Sequence, residues 1–317
     1  MGWGLELCRR FYVEVVAPGV EVPHSAALLG RGSEVLGYDD EMSTDHNCEA
    51  RALVFVPEGA ELHLEVPDTF EGRAALVEVH TVRKYFRDQL SIDTESELTI
   101  RDWLILPEAN LLQMTAGGVF HDELGLQAVR DRLAYYPDDF WRYLMITTWW
   151  RVHPEMNLVG RSGYVGDELG SAVIGSQLVR DLMRLCFLIE RRYAPYSKWF
   201  GSAFSRLSCG PTIGPLLRDV LRTTSWQERE EALGAAYRAV GELHNRLGIT
   251  EPIELGVERM VGRPFKVVWG DFIGVLTADI QDPDVRRLLK RWPVGGIDEI
   301  RNQLWKAADR RQALDFW

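Results

Sequence analysis

The N-terminal third of the chain contains three short apolar runs that predict buried β-strands. The runs cover residues 25–29, 51–56 and 74–82, and turn residues separate them. Apolar runs of this kind are typical of strands in the interior of a sheet. In the third run Glu78 and His80 are two positions apart. The pleat of a strand therefore places both side chains on one face.

Other parts of the chain repeat apolar residues every three or four positions, which predicts amphipathic helices. Residues 4–16 do so before Pro18, and residues 226–247 do so before Gly248. The strongest pattern of this type covers residues 167–192. Proline cannot continue a helix, and glycine is common just after a helix end.

The strand patterns end near Asp93 and helical patterns follow, with no low-complexity linker between them. A chain of 317 residues is long enough for two domains, on a rough prior of ~150 residues each. We therefore predict an α+β fold with a boundary near residue 105. Residues 1–105 form a domain with a mixed β-sheet, and residues 106–317 form an all-helical domain.

A glycine-rich turn, Gly32-Ser33-Glu34-Val35-Leu36-Gly37, follows the first predicted strand. Glycine lets the backbone turn tightly and approach a ligand closely. We expect Ser33 to cap the short helix that begins here, which leaves backbone N–H groups pointing outward. Such an arrangement favours an anion, above all a phosphate.

A short polar segment, Asp45-His46-Asn47, stands before the second predicted strand, twelve positions after Ser33. Alternate residues at a strand entrance share a face, so Asp45 and Asn47 are expected to project together toward the turn. His46 then points away from them, and we expect it to be a structural histidine.

This order of strand, Gly-Ser turn and polar strand entrance resembles the nucleotidyltransferase superfamily, whose signature is Gly-Ser followed by Asp-x-Asp. The superfamily includes aminoglycoside nucleotidyltransferases and poly(A)-type polymerases. The resemblance implies that Asp45 and residue 47 hold Mg²⁺ or Mn²⁺, with Glu78 as the third ligand from a later strand. Asn47 departs from the pattern, because an amide oxygen can ligate a hard cation but brings no charge.

Longer segments resemble a narrower bacterial group, common in actinobacteria, in which a domain of unknown function is joined to a nucleotidyltransferase-like half. Aspartate is usual in that group where this chain has Asn47. The matching segments span most of residues 25–210 and are GSEVLGYDDEMSTDH, RDWLILPE, AGGVFHDELG, YYPDDFW, VGRSGYVGDELGS and LVRDLMRLCFLIERRYAPYSKWFGSAF.

The resemblance implies an enzyme that transfers a nucleoside monophosphate from a nucleoside triphosphate, with ATP as the expected donor, to a small-molecule acceptor. Pyrophosphate is then the other product. Asp45 and Glu78 are the expected catalytic residues, and either carboxylate is a candidate general base toward an acceptor hydroxyl. The helical domain is expected to close the cleft over the nucleotide and the acceptor.

Five residues are candidates for binding the nucleotide. Gly32 and Ser33 belong to the phosphate turn, while Arg180, Lys198 and Tyr196 come from the helical half. Lysine is a common phosphate ligand, and an aromatic ring can stack on a base. There are two alternatives. Arg180 could belong to a solvated charged face of its helix, and Tyr196 could be part of the core.

Three further residues are candidates for binding the acceptor. His80 shares the face of Glu78, and Asp167 with Glu168 resemble the helical-domain carboxylates that bind cationic acceptors in aminoglycoside-modifying relatives. Acids are also common at helix N-termini because they interact favourably with the helix dipole. That alternative stays open for Asp167 and Glu168.

The formal net charge of −11 argues against a nucleic-acid substrate, because proteins that grip a nucleic-acid backbone usually present a basic face. The N-terminal residues lack the apolar segment of a signal peptide, and no apolar run is long enough to span a membrane. We therefore expect a cytoplasmic protein that binds no membrane. The oligomeric state is not predicted.

Asn47 supports an alternative from another class. A catalytically weakened pseudo-nucleotidyltransferase would keep the fold and act as a nucleotide-binding or protein-interaction module. An antitoxin-like partner protein is a third interpretation, which the length of the chain disfavours because such proteins are usually much shorter.

Overall fold

The computed structural model describes residues 3–39, 49–259 and 262–299, which form two compact units. One unit contains the chain up to Tyr135 together with the segment that begins at Ile297, and the other is Tyr136–Gly296. The predicted boundary near residue 105 falls earlier in the chain than this division. The segment between the two positions contains a strand of the first unit's sheet.

The first unit is built on a mixed sheet of five strands in the order β3-β4-β2-β1-β5. β2 pairs with β4 in parallel, and the other neighbouring strands are antiparallel. The three predicted strands and the α+β class are confirmed. The strands are β1 (Ser25–Leu28), β2 (Ala50–Phe55), β3 (Thr69–Phe70), β4 (Arg73–His80) and β5 (Gly118–Asp122).

The centre of this sheet is its most apolar part. All four residues of β1 and five of the six in β2 are buried, as the apolar runs predict. The N-terminal helix α1 (Trp3–Phe11), extended by a π-helical turn over Tyr12–Val16, packs on the same core as Ala52 and Val54. The other helices of the unit are α2 (Ser33–Leu36), α3 (Val82–Leu90), α4 (Ile100–Ile105), α5 (Glu108–Thr115) and α6 (Leu126–Arg132).

Among its described residues, the second unit consists of helices and connecting loops with one antiparallel hairpin of β6 (Gly256–Arg259) and β7 (Lys266–Trp269). The predicted helices over residues 167–192 and 226–247 are confirmed. The helices of this unit are α7 (Asp138–Glu155), α8 (Leu158–Tyr164), α9 (Glu168–Ile189), α10 (Ser197–Ser205), α11 (Gly210–Arg222), α12 (Trp226–Arg246), α13 (Phe272–Ala278) and α14 (Pro283–Arg291). Within the described part of the chain, every helix is too short or too polar to cross a membrane.

One histidine of the second unit is almost fully buried. His244 of α12 is 1% exposed and packs edge-on against Phe272, with ring centroids 5.1 Å apart. Neither ring nitrogen has a hydrogen-bond partner among the described residues. Burial disfavours the charged imidazolium, and it lowers the pKa of His244 from 6.5 to about 4.

We expect the free energy of unfolding to fall as the pH falls from 6.5 to 4, because only the unfolded chain then protonates His244. The difference in pKa corresponds to about 3 kcal/mol. His244→Leu should remove this part of the pH dependence, which denaturant unfolding at several pH values would measure. The control is His63→Leu, since that side chain is 92% exposed. An unchanged pH profile in His244→Leu would contradict the expectation.

Candidate functional site

The turn between β1 and α2 depends on two glycines with positive φ. Gly30 has φ 86° and Gly32 has φ 128°, backbone angles that residues other than glycine rarely adopt. A Cβ atom on Gly30 would lie 2.7 Å from the hydroxyl of Tyr85, and one on Gly32 would collide with the carboxylate of Glu34. Both positions therefore require glycine for conformation and for space.

Ser33 does not cap the helix, so this part of the sequence-based expectation is wrong. The helix begins at Ser33 itself, and its N-cap residue is Gly32, which has no side chain to make a capping hydrogen bond. The carboxylate of Glu34 folds back and accepts a hydrogen bond from its own backbone N–H. An acidic side chain therefore lies against the turn that was expected to bind phosphate.

Glu34 is only 6% exposed. Burial raises the pKa of its carboxyl group, an effect that exceeds the opposing influence of its own backbone N–H and of Arg51. Arg51 lies beside it, with Nη2 3.2 Å from Glu34 Oε1. Both side chains of this pair are nearly buried, at 11% exposed for Arg51 and 7% for Glu34.

Arg51 joins the turn to the strand that carries Glu78. Its Nη2 donates to the carbonyl oxygen of Arg31 at 2.6 Å and to that of Leu29 at 3.4 Å. Its Nη1 lies 4.0 Å from Glu78 Oε1. Because β2 lies between β1 and β4, an arginine at its start can reach both neighbours.

Glu78 and His80 share one face of β4, as predicted. His80 Nε2 lies 3.3 Å from Glu78 Oε2, and the Glu78 side chain is 38% exposed. The His80 ring packs against Tyr85, with centroids 5.1 Å apart. Burial raises the pKa of Tyr85 to about 12, and the Tyr85 hydroxyl lies beside Gly30.

Asp45 and Asn47 lie outside the described residues, as does His46 between them. β2 has β1, which leads into the glycine turn, on one side and β4, which carries Glu78, on the other. The metal-ligand set of Asp45, Asn47 and Glu78 stays a prediction.

The nucleotide-binding candidates of the second unit lie at its surface. Arg180 is an exposed residue of α9, and Tyr196 is 37% exposed just before α10. Lys198 places its Nζ 4.5 Å from the ring centroid of Trp199, a cation–π geometry. Their proposed contacts with a nucleotide stay predictions.

The two acids at the start of α9 each have a structural partner. Asp167 caps the helix by accepting a hydrogen bond from the backbone N–H of Gly170 at 2.7 Å. Glu168 accepts from the backbone N–H of Trp226 at 3.1 Å and lies 3.3 Å from Nη1 of the buried Arg229. These contacts fit the helix-terminus alternative, and acceptor binding by either acid stays a prediction.

Sequence reasoning missed the three residues that organise the turn, which are Glu34, Arg51 and Tyr85. A charged residue opening an otherwise apolar strand was the available signal for Arg51. Burial of Glu34 and Tyr85 depends on contacts between separate elements, and no local pattern indicates it.

A family described as "Domain of unknown function (DUF4037)" matches residues 103–200. The match includes several of the segments that resemble the bacterial group with a domain of unknown function, while the actinobacterial distribution stays a prediction. No curated protein matches the chain. A crystal structure of a nucleotidyltransferase-like protein from Exiguobacterium sibiricum 255-15 is similar at 13% identity, covering 83% of this chain and 97% of that one, with a TM-score of 0.32. A likeness of this degree decides neither the fold nor the activity of this chain.

Proposed function

We propose that this protein is a Mg²⁺-dependent nucleotidyltransferase that moves a nucleoside monophosphate from a nucleoside triphosphate, with ATP as the expected donor, to a small-molecule acceptor. The observation that carries the proposal is the arrangement around β2. Arg51 on this strand contacts the carbonyl oxygens of Leu29 and Arg31, between β1 and α2, and approaches Glu78. The Asp45 segment immediately precedes the same strand.

The side chains near β2 fit a hard divalent cation. Glu78 is partly exposed, and its carboxylate has one imidazole and one distant guanidinium as neighbours, which leaves lone pairs for a metal. Asp45 and Asn47 would add a carboxylate and an amide oxygen, both suitable for Mg²⁺ or Mn²⁺. The ion, when bound, would neutralise charge on the phosphates during transfer.

The residues of the chain have separate roles in this proposal. Backbone N–H groups at Gly32 and Ser33 hold phosphate, and Asp45 or Glu78 accepts the proton of the acceptor hydroxyl. His80, 3.3 Å from Glu78, orients that carboxylate or the acceptor. Lys198, Arg180 and Tyr196 are the proposed contacts of the helical unit with the nucleotide, and Asp167 and Glu168 are its proposed acids for a cationic acceptor.

A small acceptor suits the charge of the chain better than a nucleic acid. The formal net charge is −11, and a polyanion is bound chiefly through many basic contacts. A small molecule needs only a few polar partners in a cleft.

The second candidate is a pseudo-nucleotidyltransferase that binds a nucleotide or a partner protein without turnover. Two observations favour it. Asn47 removes a charge from the metal set, and the buried Glu34 carboxylate lies against Gly32, where its ionised form would repel a phosphate.

Mass spectrometry of reaction products tests the proposal. The purified chain would be mixed with each nucleoside triphosphate, Mg²⁺ or Mn²⁺, and a metabolite extract, and masses raised by one nucleoside monophosphate would be sought alongside pyrophosphate. A metal-dependent adduct supports the enzyme. Nucleotide binding without any adduct supports the second candidate, and absence of both would overturn the two together.

Asn47→Asp separates the two candidates. If the protein is an enzyme whose metal ligands lack one charge, one more carboxylate should raise the affinity for Mg²⁺ and increase pyrophosphate release severalfold. The reason is that charges interact strongly where water is partly excluded. Metal titrations and pyrophosphate assays of both proteins would measure this, with Asn157→Asp in the second unit as a matched control. Unchanged metal affinity would mean that residue 47 does not face the metal.

A further inference from the structure

A second group of metal-binding side chains lies at the other end of β1 from the glycine turn. His24 directly precedes β1, His121 belongs to β5, and Glu123 directly follows β5. Antiparallel pairing of the two strands sets Ala26 opposite His121 and brings the three side chains together. One ligand atom from each lies within 4.8 Å of the other two. β1 has four residues, so at about 3.3 Å per residue its first and last residues are on the order of 10 Å apart.

The ring of His24 is oriented as in many metal-binding histidines. Its Nδ1 lies 3.0 Å from the carbonyl oxygen of Val22. Because a carbonyl can only accept, Nδ1 carries the proton and Nε2 keeps its lone pair. A histidine that donates its other N–H to a backbone carbonyl is the usual arrangement at metal sites. Nε2 also lies 2.8 Å from the hydroxyl of Tyr12, which donates a hydrogen bond to this lone pair when no cation accepts it.

His121 supplies an observation that points to a ligand. Its Nε2 is buried and is paired with the Glu123 carboxylate, whose Oε2 lies 3.3 Å away. A cation bound between the two groups would accept a lone pair from the ring nitrogen and from the carboxylate together. The His121 ring lies against that of His24, with centroids 4.4 Å apart.

Glu123 supplies the negative charge. Its Oε2 accepts a hydrogen bond from the backbone N–H of His24 at 3.0 Å. This bond is the main reason why the pKa of the Glu123 carboxyl is lowered, with the two neighbouring histidines contributing. The carboxylate is half-exposed, so it offers a cation an entry path from solvent.

We propose that His24, His121 and Glu123 bind a zinc ion, independently of the function proposed above. Two imidazoles and one carboxylate are a ligand set that Zn²⁺ accepts, whereas Mg²⁺ prefers oxygen alone. At zinc–ligand distances of about 2.0–2.2 Å the ligand atoms lie on the order of 3.3 Å apart, so side-chain rotations complete the site. The ion joins β5, at the edge of the sheet, to the start of β1.

Calorimetric titration of Zn²⁺ into the full chain, purified in chelator and exchanged into chelator-free buffer, tests the site. The titration is made in the Asp45→Ala background, so that ions at the predicted Asp45 site do not contribute. One equivalent should bind. His121→Ala should weaken binding by at least about 100-fold, the upper end of what loss of an outer contact costs.

Two further variants keep the test decisive. Glu123→Gln preserves shape at a half-exposed position and should also weaken Zn²⁺ binding, while His63→Ala removes an exposed histidine and should leave it unchanged. Co²⁺ bound to the chain should show a visible spectrum of imidazole coordination that His121→Ala abolishes. Absence of Zn²⁺ binding, or equal affinity in the His121 and Glu123 variants and their parent, would overturn the proposal.

Discussion

Asp45→Ala should lower nucleotidyl transfer by about a thousandfold or more, which corresponds to about 4 kcal/mol of transition-state stabilisation. Of the two proposed metal ligands before β2, Asp45 carries a full negative charge. Asn47 is neutral and cannot replace that charge. Without the ion, the charge that develops on the transferring phosphate loses its main source of neutralisation.

Pyrophosphate release at saturating nucleotide would measure the loss, and calorimetry would show whether Mg²⁺-dependent nucleotide binding disappears with it. Asp39→Ala is the matched control. The Asp39 carboxylate accepts a hydrogen bond from the backbone N–H of Gly4 at 3.0 Å, so we expect a structural role for it. If Asp39→Ala or Asp40→Ala lost activity while Asp45→Ala kept it, the alignment of Asp45-His46-Asn47 with the Asp-x-Asp pattern would be wrong.

Arg51→Ala should lower the free energy of unfolding by about 3–5 kcal/mol, the usual cost of removing one partner from a buried ion pair. The Arg51 and Glu34 side chains are 11% and 7% exposed. Loss of the guanidinium leaves the carboxylate uncompensated, and it also leaves the carbonyl oxygens of Leu29 and Arg31 without their donor.

The pH dependence of the Arg51 variant provides a further check. Burial already raises the pKa of Glu34, and loss of Arg51 should raise it further. A carboxyl group with a raised pKa binds a proton more tightly in the folded chain than in the unfolded chain. The free energy of unfolding therefore falls as the pH rises from the unfolded-state pKa of Glu34 through its folded-state pKa. The destabilisation should therefore be smaller at pH 5 than at pH 8.

Two variants control for this experiment. Glu34→Gln in the Arg51→Ala background should recover part of the lost stability, because no buried charge then remains unpaired. Arg10→Ala breaks a half-exposed ion pair with Glu71, and exposed pairs contribute little, so denaturant unfolding should show almost no change. An equally small effect of Arg51→Ala would mean that the turn does not depend on this pair.

Local patterns in the sequence were sufficient for three strands of the sheet and for the two longest helices. Period-two alternation placed Glu78 and His80 on one face of β4, and their contact follows from it. Apolar spacing of three and four residues located α9 and α12. These features depend on interactions within one strand or helix, whose geometry repeats along the chain and is therefore visible in residue order.

The arrangement of charges and of distant partners required the folded structure. β5 was not predicted, because its pairing with β1 joins residues such as Ser25 and Asp122 that are far apart in the chain. The same pairing creates the group of His24, His121 and Glu123. Burial of Glu34 beside Arg51 likewise depends on the packing of the turn against β2. Long-range pairing and desolvation depend on which surfaces meet in space, and residue order alone does not encode that locally.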